Sequence, residues 1–134
     1  MRPEELMEAA RAAMARAYAP YSRFQVGAAL LGRSGRVYTG CNVENAAYGP
    51  SNCAERTAVF KAVSEGERDF AALAIAGGPE GKIRDFCPPC GVCRQVLREF
   101  CGADFPIYLT DAAGNLRERT LGELLPDSFS GDNL

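Results

Sequence analysis

Two short motifs carry the residues best able to do chemistry in this chain. One is Cys53-Ala54-Glu55-Arg56; the other is Pro89-Cys90-Gly91-Val92-Cys93-Arg94. The sequence contains six cysteines and no histidine, so Cys53, Cys90 and Cys93 offer three thiolates where histidine nitrogens might otherwise serve. Three thiolates with a fourth position left open describe a catalytic zinc site, because structural zinc closes with four protein ligands. Glu55, two residues after the first sulfur, is placed to move protons at that open position.

Two other readings compete for the same residues. Cys87-Pro88-Pro89-Cys90 is a second Cys-x-x-Cys pair sharing Cys90, so a closed four-sulfur site is arithmetically possible. Its consecutive prolines stiffen the turn that would have to bring all four sulfurs together, which favours the open site. Asn52 and Glu55 are also spaced as a helix capping box, in which Glu55 would only bond a backbone N–H. Arg56 and Arg94 each directly follow a sulfur ligand. They are expected to hydrogen-bond the thiolates and offset the negative charge that three of them leave on a divalent metal.

The bulk composition narrows the function classes. The chain has 134 residues, enough for one compact domain over 1–134 with an ordinary core. It is 47% hydrophobic and 24% charged, as in soluble globular proteins. A formal net charge of −2 gives no electrostatic reason to expect nucleic acid as partner. The apolar stretches are too short and too often interrupted to span a membrane. The acidic, helix-prone start is unlike a signal peptide, and a cytoplasmic location follows. Six cysteines as a disulfide framework would need an oxidising compartment and a chain poor in core residues, and neither is expected here.

The elements that must position the motifs alternate in kind. Pro3 to Ala17 is predicted as an amphipathic helix, with Leu6, Ala10, Ala13, Met14 and Ala17 on one stripe. Phe24–Leu31 and Val37–Asn42 form a hairpin about the turn at 33–36. A loop over 43–50 leads to a helix from Cys53 to Ser64, with Asn52 as its cap. Phe70–Ala76 is a nearly continuous apolar run, expected of a strand buried on both faces. After a loop over 77–89 come a helix over 91–101, a strand over 106–110 and a last strand over 116–119. Thr120 and Glu123 predict a capping box for a short final helix ended by Pro126. This α-β-β-α-β-α-β-β-α order implies an α/β fold of three layers, a mixed sheet of about five strands with helices on both faces.

With these residues in hand, the chain resembles the small zinc-dependent cytidine deaminases over nearly its whole length. Besides the two sulfur motifs, the resemblance rests on Tyr18-Ala19-Pro20-Tyr21-Ser22, Phe24-Gln25-Val26-Gly27-Ala28 and Cys41-Asn42-Val43-Glu44-Asn45-Ala46. It implies a cytidine-deaminase-like fold, one Zn²⁺ per subunit held by Cys53, Cys90 and Cys93, and Glu55 as the proton-carrying carboxylate. It implies that Asn42 and Glu44 bind the ribose 3′-hydroxyl, that Phe24 packs on the nucleoside, and that the backbone around Ala46 and Ala54 contacts the pyrimidine. Phe129 would reach a neighbouring subunit's site in a homotetramer. The implied reaction is hydrolytic deamination of cytidine and 2′-deoxycytidine, a step of pyrimidine salvage. Cys41 and Cys101 read as buried small hydrophobes, and Cys87 is a departure that the family pattern does not require.

Overall fold

The computed structural model describes all 134 residues. Helix α1 (Pro3–Met14) precedes the hairpin of β1 (Phe24–Gly32) and β2 (Val37–Cys41). Then come α2 (Ala54–Ser64), β3 (Phe70–Pro79), α3 (Gly91–Phe100), β4 (Pro106–Thr110), β5 (Leu116–Thr120) and the short α4 (Leu121–Leu124). A single 3₁₀ turn, Gly131–Asn133, ends the chain. The five strands form one sheet in the order β2-β1-β3-β4-β5, with β3 and β4 parallel and the other neighbours antiparallel. The element order and the mixed sheet match the expectation from sequence.

Each face of the sheet has its own core. Ala54, Ala58, Val59 and Ala62 of α2 and Leu97 of α3 pack with Leu30, Leu73, Ile75 and Ile107 on one face. Leu6, Met7, Ala10 and Met14 of α1 cover Ala29, Ala72, Ala74 and Ala76 on the other. Alternate residues of β3 therefore serve opposite cores, which is why its sequence reads as an unbroken apolar run.

Several boundaries differ from the sequence reading by a residue or more, and three of them bear on the site. Helix α1 stops at Met14 rather than Ala17, because the backbone beyond it is engaged elsewhere: Tyr18 N–H donates to the Asn42 carbonyl and its own carbonyl accepts from Glu44 N–H. Strand β3 continues through Gly77 and Gly78 to Pro79, paired with Val26, Gln25 and Phe24. A Cβ on Gly78 would lie 1.9 Å from the Lys82 carbonyl oxygen, so glycine lets the next turn fold directly onto the strand. Helix α2 begins at Ala54 with Cys53, not Asn52, as its cap residue.

The helices approach the sheet closely where glycines face them. A Cβ on Gly27 would lie 2.0 Å from the Ala10 carbonyl oxygen of α1, and one on Gly40 2.4 Å from that of Ala54 in α2. Both obstacles are backbone, so neither can be relieved by a rotamer change. Gly40→Ala is expected to displace the start of α2 and to destabilise the protein by about 3 kcal/mol. A lowered urea midpoint with unchanged slope checks this.

Candidate metal centre and active site

The connectivity brings the two sulfur motifs to one place. Strands β2 and β3 are both antiparallel to β1, so they run parallel to one another, and β3 is parallel to β4. Helices α2 and α3 are the two crossovers between these parallel strands and pack on the same face. Their N-termini therefore open at the same end of the sheet, where ligands collect in α/β folds. Cys53 caps α2, Cys90 caps α3, and Cys93 lies in the first turn of α3. Neither cap side chain bonds its helix, unlike the usual polar caps, so both sulfurs remain available.

The three sulfurs lie within 4.8 Å of one another. Cys53 Sγ is 3.7 Å from Cys90 Sγ, which is 3.4 Å from Cys93 Sγ. Tetrahedral zinc with Zn–S bonds near 2.3 Å needs sulfurs roughly 3.8 Å apart, so this donor set fits zinc in both softness and spacing. Cys87 is outside the group. Its half-buried thiol packs near Gly77, and burial pushes it up to about 12. The group is thus three sulfurs, not the four of a closed site. Cys101 is buried as expected, whereas Cys41 is only half-buried.

Charge is arranged around Cys53. The neighbouring Cys93, then the hydrogen bonds from Arg56 and with Cys90, outweigh burial and take the Cys53 thiol down to about 5. Cys93, beside Cys53 and buried, is pushed upward. Arg56 Nη2 lies 3.2 Å from Cys53 Sγ, as its sequence position suggested. Arg94 does not meet that expectation. Its Nε donates to the Pro89 carbonyl at 2.7 Å and its Nη1 to the Leu124 carbonyl at 2.7 Å, so it braces the chain before Cys90 instead of touching sulfur.

Glu55 is 4% exposed. Burial first, and the nearby Cys53 charge after it, raise its carboxyl to about 7. The capping box with Asn52 does not form: Asn52 N–H donates to the Val43 carbonyl, and Asn52 Nδ2 donates to Thr57 Oγ1 at 3.2 Å. Glu55 instead faces a cavity of about 530 Å³ together with Cys53, Cys90, Ala54, Asn42 and Glu44.

Asn42 and Glu44 are largely occupied by their own chain. Asn42 Oδ1 accepts from Val26 N–H at 2.9 Å, and Nδ2 donates to the Phe24 carbonyl at 2.8 Å. Glu44 Oε1 accepts from the N–H groups of Tyr21 and Ser22, both at 3.0 Å, and Oε2 accepts from the Ser22 hydroxyl. These bonds, the Ser22 hydroxyl foremost, hold the Glu44 carboxyl below the usual range. What remains unused is one N–H of Asn42 and a lone pair on Glu44 Oε2.

Phe24, Ala46 and Phe129 do not line this cavity. Phe24 is 38% exposed at the start of β1. Phe129 is 58% exposed while its carbonyl accepts from Gln95 Nε2 at 2.9 Å, so it does not cover its own core. Tyr48, Val92 and Val26 do line the cavity and were not singled out from sequence. Tyr48 sits at φ 60° in the 43–50 loop, a left-handed placement that no local sequence pattern announces.

Comparison with known proteins agrees with this geometry. Residues 1–109 match the model of the cytidine and deoxycytidylate deaminase zinc-binding region. The chain belongs to the cytidine deaminase family. It is 51% identical over 131 residues to a cytidine deaminase of Sporosarcina psychrophila, covering 98% of this chain and 93% of that one. A cytidine deaminase of Halalkalibacterium halodurans is 52% identical over 118 residues, covering 88% and 86%. The crystal structure of cytidine deaminase from Burkholderia pseudomallei superposes with a TM-score of 0.89 at 49% identity, covering 96% of this chain and all of that one.

The contrast between the two arginines is testable. Arg56→Ala is expected to weaken zinc binding by about 10- to 100-fold, as loss of a partner behind a ligand does. Arg94→Ala should lower thermal stability with a smaller effect on the metal. Competition with a chromogenic chelator, run beside a thermal melt, separates the two.

Proposed function

We propose that this chain is a zinc-dependent cytidine deaminase of pyrimidine salvage, a single catalytic domain over residues 1–134 converting cytidine and 2′-deoxycytidine to their uracil counterparts with release of ammonia. The observation that carries the reading is the buried Glu55 carboxyl beside a three-sulfur group, in a cavity large enough for a nucleoside. Curated relatives near 50% identity bear the name cytidine deaminase, and this supports the substrate class.

Cys53, Cys90 and Cys93 would hold one Zn²⁺ per subunit, with Arg56 offsetting the charge on Cys53. When bound, zinc supplies Lewis acidity that makes water a nucleophile at neutral pH. Glu55 would take a proton from the attacking water and deliver it to N3 of the ring, making C4 electrophilic as the C4–O bond forms. It would then take the proton of the new C4 hydroxyl and pass it to the amine nitrogen, so that the C4–N bond breaks and ammonia leaves, and a single carboxylate would serve both transfers. Its ordinary range would leave it a weak base, and the raised value set by burial suits a group that must accept and donate in turn.

The remaining hydrogen-bonding capacity of Asn42 and Glu44 suits one hydroxyl that accepts from the amide and donates to the carboxylate, as a ribose 3′-hydroxyl can. Arg56 is the only basic residue lining the cavity, and it is engaged with Cys53. With no cation free to meet a phosphate and a carboxylate among its walls, the site favours nucleosides over nucleotides. The family model covers both cytidine and deoxycytidylate deaminases, and this charge pattern favours the first.

The exposed Phe129 ring and the exposed Tyr48 and Val92 on the cavity wall support a homotetramer whose sites are completed by neighbouring copies. Phe24 would pack on the nucleoside and the Ala46 backbone would contact the pyrimidine. A cytoplasmic location is part of this reading, and no helix is long and apolar enough to cross a membrane.

Two experiments test the proposal. Mixing the zinc-loaded protein with cytidine should give the ultraviolet change of conversion to uridine. Glu55→Ala should keep zinc and fold while kcat falls by about 10²- to 10⁴-fold; a fully active variant would overturn the assigned role. Sedimentation equilibrium should return about four times the 14.4 kDa chain mass.

A further inference from the structure

The segment over 21–24 is built around one side-chain hydroxyl. Ser22 Oγ donates to Glu44 Oε2 and accepts from Phe24 N–H at 3.0 Å. It thereby joins two residues that the proposed function places at the substrate, and that are far apart in sequence. The intervening Arg23 has φ 57°, a left-handed conformation that costs a non-glycine residue free energy and persists only where surrounding bonds impose it. Arg23 N–H donates to the Ala19 carbonyl at 3.0 Å, and its own carbonyl accepts from Glu80 N–H at 2.7 Å.

The positions of the donors decide what Glu44 can still do. Two backbone N–H groups occupy Oε1, so that oxygen has no further capacity. The Ser22 hydroxyl takes one of the two acceptor sites on Oε2 and leaves the other. Backbone amides cannot fix the torsion of the carboxylate as fully when both reach the same oxygen. A third donor on the second oxygen does.

We infer that Ser22 is a positioning residue for sugar recognition: its hydroxyl fixes the Glu44 carboxylate so that one lone pair of Oε2 faces the cavity and receives a sugar hydroxyl. This rests on the deaminase reading. Ser22 needs no contact with substrate in this role. Removing its hydroxyl frees Oε2 to turn toward solvent or toward the vacated Phe24 amide, and the cost falls on substrates that use Glu44. Substrates lacking the sugar hydroxyl have nothing to lose.

The test compares 2′-deoxycytidine with 2′,3′-dideoxycytidine, which lacks the 3′-hydroxyl, on the zinc-loaded full chain. Ser22→Ala should lower kcat/KM for 2′-deoxycytidine by about five- to tenfold, mostly through KM, with less than about a twofold change for the dideoxy substrate. Ser22→Thr, which keeps the hydroxyl, should restore the native ratio between the two substrates. An equal loss on both substrates would show a general structural role and overturn the inference, as would no loss on either. Ser22→Cys, a weak donor of similar size, gives the same comparison if the alanine variant does not fold. A native protein that is zinc-loaded and folded yet deaminates neither substrate would overturn the deaminase reading itself, an outcome separate from a failed substrate comparison.

Discussion

The structure depends on the parallel relation of β2, β3 and β4. Once three strands run the same way, each connection between them must return along the sheet, and here both returns are helices on the same face. Their N-termini then open at one sheet end. Positive helix ends and unpaired N–H groups converge there, which favours thiolate over thiol. Three cysteines supplied at two helix starts are thus brought within bonding distance of one ion by topology, with little demand on the loops.

The rest of the molecule holds those helix starts in place. Close approach at Gly40 seats α2 on β2, so that Cys53 and Glu55 are fixed relative to Asn42, the residue just after that strand. Arg94 braces the peptide before Cys90 against α4 through the Leu124 carbonyl. The α1 layer covers the other face and contributes nothing to the site directly. Its close packing at Gly27 supports the strand whose next residue but two, Phe24 in the opposite direction, borders the 21–24 turn.

Much of this was legible in the sequence because the signals were local. The two sulfur motifs, the capping box of Thr120 and Glu123 and the apolar run of β3 each depend on residues near one another, and each matches the structure. The misreadings came where distant backbone decided the outcome. Helix α1 ends early because β2's continuation takes the hydrogen bonds of Tyr18, and β3 runs on because Gly78 lets a later turn lie against it. Arg94 follows a sulfur ligand just as Arg56 does, yet one faces sulfur and the other faces carbonyl groups. That difference is set by where α4 arrives, which no pattern near Cys93 encodes. The engagement of Asn42 and Glu44 by the 21–26 segment was equally invisible from spacing.

The absence of histidine has a consequence for proton counting. Imidazole is the ordinary buffer of a folded protein around neutrality, and this chain has none. Of the groups around the site, Glu55, raised by burial to about 7, is the one that exchanges its proton near neutrality. Metal binding to thiols releases protons. In this molecule that release takes place against an almost silent background, so a calorimeter run in buffers of different ionisation heat would read the protonation of the metal centre nearly by itself.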